Sequence, residues 1–296
     1  MKKIISFTSI LILSLGGLIF PNFIEPEGNN SVKLSGRVLG VFAVSPENFW
    51  SSLAKAGELK ESFPGAKIKG GIIPHDTLHS EYIAHFFREL KKQNPATILL
   101  IAPNHQEAGL FGITTAKGFF ATAFGEVEID AKAVSRLLSF SQVGEDEKVI
   151  EGEHSLGVVA PYIKYYLPQT KIIPIVFKAG IKESALRNLI DSLEEVLPRE
   201  TMIVATIDFS HYLTAGQAAA NDSVTRQAIE SFDTGKIFSF GQHFNDYLDS
   251  PSSLAFMLKW FKEKNARAEI LYQTNSGFLS GRLTEPCTSY FETVFY

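Results

Sequence analysis

The chain carries seven histidines in 296 residues, and three of them stand close behind short apolar runs. His75 follows Ile72-Ile73-Pro74, and His105 follows Ile101-Ala102-Pro103-Asn104. His211 comes three residues after Asp208, which closes the run 202–207. Neutral imidazole is the commonest metal ligand, and strand ends are rigid enough to fix a coordination geometry. A single such histidine reads as a hydrogen-bonded loop residue. Three in equivalent positions read as one site, at the sheet end where open α/β folds place their ligands. Asp208 beside His211 suits a general acid/base pair, because a carboxylate orients an imidazole and raises its basicity. Helix capping is the plainer role for Asp208 or Ser210. Glu153-His154 opens a further helical stretch, where Glu153 complements the helix dipole and His154 points into the cleft or to solvent. His79 is expected in solvent or behind the ligands, and His85 and His243 on the surface.

The elements that must position these residues alternate. Strands are expected over 38–44, 68–73, 97–102, 171–177 and 202–207. Helices are expected over 46–60, 80–92, 130–140, 154–166, 184–196, 215–232 and 252–264. Pro46 and the run Asp249-Ser250-Pro251 supply helix-start chemistry. Residues 112–125 and 127–129 read as a small β insertion, and 268–273 and 289–295 as closing strands. Continuous apolar strands between amphipathic helices argue for an α/β fold with a mostly parallel sheet covered on both faces.

Composition narrows the function classes. The chain is 45% hydrophobic and 20% charged, ordinary for a globular protein with a sizeable core. A net charge of -4 gives no polyanion-binding surface, so nucleic acid is excluded as the expected partner. The single cysteine, Cys287, excludes an internal disulfide and a multi-cysteine zinc site. No G-x-S-x-G, P-loop or G-x-G-x-x-G occurs, which removes support for a serine hydrolase, an NTPase or a simple dinucleotide-dependent dehydrogenase.

Residues 1–23 carry Lys2 and Lys3 ahead of an uncharged apolar run, and read as a signal peptide or N-terminal membrane anchor. Residues 24–36 read as a polar linker and 37–296 as the folded domain. The charge order favours a domain membrane-anchored facing outside the cytoplasm, or secreted.

Four motifs in one order make the chain recognisable: Pro74-His75, Ala102-Pro103-Asn104-His105, Glu153-His154-Ser155-Leu156 and Asp208-Phe209-Ser210-His211. Together they resemble the Memo family, whose bacterial members are called AmmeMemoRadiSam system protein B, over about residues 38–296. The resemblance implies a three-layer α/β/α sandwich like that of class III extradiol ring-cleaving dioxygenases. It implies that His75 and His105 are metal ligands, and that His211, beside Asp208, stands where the ring-cleaving relatives keep an acid/base. Asn104, Glu153 and His154 would then line the substrate cleft. The family's late cysteine ligand is missing from residues 244–251, and Asp249 is its candidate replacement, with a helix cap as the alternative. Two imidazoles and a carboxylate suit non-haem Fe(II) and weaken the case for copper(I), while zinc or copper remain open. Expected activity is oxygenase- or redox-like on an unnamed substrate. The alternative is a non-catalytic module holding a peptide or small ligand in the same cleft. Family association adds AMMECR-type and radical-SAM proteins as expected partners.

Overall fold

The computed structural model describes residues 38–39 and 44–296. The expected signal or anchor, the linker and most of the first strand therefore lie outside the described residues.

In chain order, β1 (Val38–Leu39) precedes α1 (Pro46–Glu58), which Ser45 caps by accepting from Asn48 N. β2 (Gly70–Ile73) leads through Pro74-His75 to α2 (Glu81–Leu90), and β3 (Thr97–Pro103) leads to Asn104-His105. There follow β4 (Ile113–Thr115), the hairpin β5 (Phe119–Thr122) and β6 (Gly125–Glu128), α3 (Ala131–Leu137), β7 (Val143–Glu145) and α4 (Glu147–Gly152). Asp130 caps α3 by accepting from Ala133 N, as its position before the helix predicts. The alternation resumes with α5 (His154–Tyr166), β8 (Lys171–Phe177), α6 (Glu183–Val196) and β9 (Met202–Thr206). β10 (Phe209–Leu213) follows at once, then α7 (Ala215–Ser231), α8 (Thr234–Ser239), a 3-10 segment (Gly241–Asp246) and α9 (Pro251–Glu263). The chain closes with β11 (Ala268–Asn275), α10 (Ser276–Ser280) and β12 (Cys287–Phe295).

The main sheet has the order β10-β12-β2-β9-β3-β8-β4-β7, with β11 also paired to β12. Its centre, β2-β9-β3-β8, is parallel, and antiparallel pairs flank it. Two glycines show how closely both faces are covered. A Cβ on Gly71 would come within 2.2 Å of the Phe86 ring on α2, and one on Gly70 within 2.4 Å of the Phe261 ring on α9. Neighbouring strand residues point to opposite faces, so α2 and α9 press on the sheet from opposite sides. α1 and α5 pack with α2, and α6 and α8 with α9, which makes the three-layer α/β sandwich expected from the sequence.

Two local readings change. Only β5 and β6 of the expected insertion leave the main sheet, pairing with β1 in a separate three-stranded sheet; β4 stays in the main sheet between β8 and β7. The segment carrying His211 is a strand, β10, antiparallel to β12 from the far end of the sequence. Its polar-apolar mix and the shifted register of that pairing left no period-2 signal to read.

Candidate metal centre

Topology assembles the site. β9 lies between β2 and β3, with Ile73 in register with Thr206 and Ile101 with Ala205. His75, two residues past Ile73, thus arrives beside Asp208, two residues past Thr206. The His75 backbone N–H donates to Asp208 Oδ1 at 3.0 Å. Asp249 is brought in by backbone pairing: its N–H donates to Asp208 O at 3.0 Å, and Leu248 bridges to Phe209. The cap of α9 is Ser250, whose hydroxyl accepts from Ser253 N, so Asp249 is not the cap. Its carboxylate enters the cleft instead.

The imidazoles converge on that carboxylate. Asp249 Oδ2 lies 3.0 Å from His75 Nε2 and 3.4 Å from His105 Nε2. The other nitrogen of each ring is already engaged, His75 Nδ1 with Thr206 Oγ1 at 3.1 Å and His105 Nδ1 with Glu153 Oε1 at 2.8 Å. Such contacts fix the ring orientation and leave Nε2 directed into the pocket. Two overlapping sets of donor atoms, His75–His105–His154 and His75–Asp208–Asp249, each fall within 4.8 Å. Neighbouring donors on one ion are about 3.0–3.4 Å apart when each bond is about 2.1 Å long. The observed spacings match, and Asp249 Oδ1 is buried without a hydrogen-bond partner. The residues present fit a divalent cation.

Electrostatics point the same way. Burial opposes protonation of His105, but its hydrogen bonds to Asp249 and Glu153 win, raising its pKa to about 10. His75 is also raised, because Asp208 and Asp249 outweigh its burial. Asp249 is held well below the usual carboxylate range; its burial is overcome by His75 and His105. Asp208 goes up, through burial and the neighbouring Asp249 charge. The pocket therefore carries negative potential that favours positive charge on its imidazoles, and a bound cation would meet the same potential. His154, whose ring lies 4.3 Å from His105 and 5.4 Å from His75, is lowered to about 4 by burial and then by those two rings.

Other expected residues take different places. Glu153 holds His105. It accepts from the His105 N–H at 3.0 Å and caps α5 through Ser155 N, and burial is overcome by His105 to bring its pKa to about 2. Asn104 braces its own loop: Oδ1 accepts from Ala108 N and Nδ2 donates to Ala108 O. Asp208 hydrogen-bonds to His75 and not to His211. His211 Nδ1 is buried with no hydrogen-bond partner. His79 is half-buried beside Glu81, and His243 is exposed, as expected. His85 is not a surface residue: it is fully buried, 2.7 Å from Glu292 Oε1 and 2.8 Å from Glu61 O. Sequence reasoning also missed Thr206, whose only signal is its place at the end of an apolar strand.

Comparison with known proteins gives the family. A MEMO1 family protein of Methanopyrus kandleri is 26% identical over 234 residues, covering 76% of this chain and 83% of that protein. One from Methanosarcina barkeri is 29% identical over 235 residues, covering 76% and 87%. Among solved structures, an uncharacterized protein from Escherichia coli K12 superimposes with a TM-score of 0.51 at 11% identity, covering 75% of this chain and 99% of that one. That likeness concerns the fold alone. The family model described as Memo-like protein matches residues 46–291, and the chain belongs to that family.

Proposed function

We propose that the chain holds one Fe(II) ion between His75, His105 and Asp249 and uses it in an oxygenase- or redox-like reaction on a small ligand. The observation that carries this reading is the convergence of two Nε2 atoms on Asp249 Oδ2, at 3.0 and 3.4 Å, with both Nδ1 atoms already engaged. Two imidazoles and a carboxylate with open positions suit non-haem iron, and the absence of a thiolate from the cluster disfavours copper(I). A bound ion would supply open coordination positions and Lewis acidity at a substrate oxygen. His211 supplies the acid/base function, its Nδ1 free of any protein partner. His154, kept neutral by burial and by the imidazoles of His75 and His105, stands beside the ligands as a hydrogen-bonding group for the substrate.

The test is the metal content of the full chain, purified without chelator, for wild type, His75→Ala and Asp249→Ala. Near-stoichiometric iron that is lost in both variants supports the assignment. Metal retained in Asp249→Ala removes the carboxylate from the ligand set, and a wild type that takes up no Fe(II) anaerobically leaves a ligand-binding module as the better reading.

We place the domain outside the cytoplasm, on the strength of Lys2 and Lys3 ahead of an uncharged run. Fusing residues 1–30 to a reporter active only after export tests this, and a silent reporter refutes it. A silent reporter would also return the chain to the compartment where AMMECR-type and radical-SAM partners are expected.

A further inference from the structure

Trp50, Phe124 and Tyr165 form an aromatic triangle at the surface, remote from the metal pocket. Trp50 lies on α1, Phe124 at the turn between β5 and β6, and Tyr165 in the last turn of α5. Their ring centroids are 6.0 Å (Trp50–Phe124), 5.8 Å (Trp50–Tyr165) and 5.3 Å (Phe124–Tyr165) apart. Phe49, only 3% exposed, touches all three at 4.7–5.5 Å and ties the triangle to the core. Trp50 is nevertheless 51% exposed and Tyr165 39%. Val38, 52% exposed, stands on β1, which pairs with Phe119 of the same hairpin.

We propose that this triangle is a lipid-surface contact, with Trp50, Phe124 and Tyr165 resting at the headgroup level of a bilayer. Tryptophan and tyrosine have an apolar body and a polar edge, and they collect at the boundary between hydrocarbon and water. The sequence outside the described residues says why lipid is the occupant. An uncharged apolar run over residues 4–20 sits behind Lys2 and Lys3, and only residues 21–37 separate it from β1. Seventeen residues span at most about 60 Å even when fully extended. A chain held in a bilayer by residues 4–20 thus has this hairpin within reach of the headgroups. The inference rests on the reading of residues 4–20 as an anchor, and the experiment separates the two.

The orientation has a functional meaning. α5 begins with His154 at the metal pocket and carries Tyr165 of the triangle in its last turn, about 17 Å away along the helix axis. A bilayer contact at the Tyr165 end therefore leaves His154, at the other end of the helix, outside the contact.

The two tryptophans make the test clean, since Trp260 is 6% exposed and covered by Lys264 while Trp50 is open. The full chain is reconstituted in phosphatidylcholine–phosphatidylglycerol vesicles, with brominated phosphatidylcholines as depth-dependent quenchers. The proposal expects emission to fall by about half, the share of one of two indoles, with greatest effect from bromines near the headgroups. In Trp50→Phe, which keeps an aromatic ring, quenching is lost while vesicle association stays. Chain that co-floats with vesicles but is not quenched overturns the proposal and leaves the anchor standing. No co-flotation refutes the anchor and the contact with it. Trp50 shielded from aqueous acrylamide without lipid, in proportion to protein concentration, assigns the triangle to a second copy and likewise overturns the proposal.

Discussion

Glu153→Gln separates a metal centre from a merely hydrogen-bonded cleft. The Glu153 carboxylate accepts four donors: His105 N–H, His105 Nδ1, Ser155 N and Ser155 Oγ, at 2.7–3.0 Å. A glutamine keeps one acceptor oxygen and turns an NH₂ group toward one of those donors. With Oε1 retained, the new NH₂ faces the His105 backbone N–H, and a buried donor is left without an acceptor. That costs roughly 1–3 kcal/mol of fold stability. The second effect concerns metal. With a neutral amide oxygen in place of the carboxylate oxygen at 2.8 Å, the His105 ring keeps an acceptor at Nδ1 but loses the charge that strengthens its Nε2 as a ligand. Affinity should fall about 10–100-fold, or roughly 1.4–2.7 kcal/mol. Anaerobic titration of Fe(II) or Co(II) against a competing chelator measures the affinity, and urea unfolding of the metal-free chain measures the stability. A variant that loses stability but binds metal like wild type would show that Glu153 only caps α5, and would refute the argument built on its contact with His105.

Three further outcomes test the frame around the site. Gly71→Ala should destabilise the chain by about 1–3 kcal/mol or more in urea, because its Cβ would come within 2.2 Å of the buried Phe86 ring. An unchanged midpoint would mean that α2 can move away from the sheet. Burial raises the Asp222 carboxyl to about 6 from 3.8, so the native state binds more protons than the unfolded chain between those values. Stability contributed by protonated Asp222 is therefore present below about pH 4 and lost as pH rises through about 6. Asp222→Asn, which keeps an acceptor for Ser210, should be more stable than wild type at pH 7 by up to roughly 3 kcal/mol, with the difference vanishing near pH 4. A pH-independent difference would contradict this. His85→Ala leaves Glu292 buried opposite nothing and should cost about 3–5 kcal/mol, whereas replacing His85 and Glu292 together with apolar residues of matching size should cost less. Equal losses in the two variants would show that the pair is not coupled.

What could be read in the sequence were features that repeat locally. Continuous apolar strands gave the central sheet, and Pro46 at a first turn and Asp130 as a cap gave two helix starts. The positions of His75 and His105 just past strand ends made them conspicuous. Features that depend on distant partners were not legible. His85 sits in an amphipathic helix like a surface residue, and its partner Glu292 is 207 residues away. Asp249 and Ser250 were equivalent as caps from sequence, and only the bridge between Leu248 and Phe209 turns Asp249 inward. Asn104, in a motif full of chemistry, holds its own loop closed, and no local pattern distinguishes that from binding a ligand.

The insertion of β9 between β2 and β3 has a consequence for how the protein is made. His75 and His105 leave the ribosome early, yet the strand that sets their spacing is more than ninety residues behind His105, and Asp249 comes later still. At about 5–20 residues per second, the histidines wait on the order of ten seconds for their seat. Closing so long a loop before any contact rewards it is also slow in its own right. A nascent chain, or a product cut short before β9, therefore offers His75 and His105 without the strand that spaces them and without Asp208 or Asp249. A metal at this site would be taken up only after β9 and Asp249 have joined the sheet, and the ions of the compartment where the chain folds would compete for it.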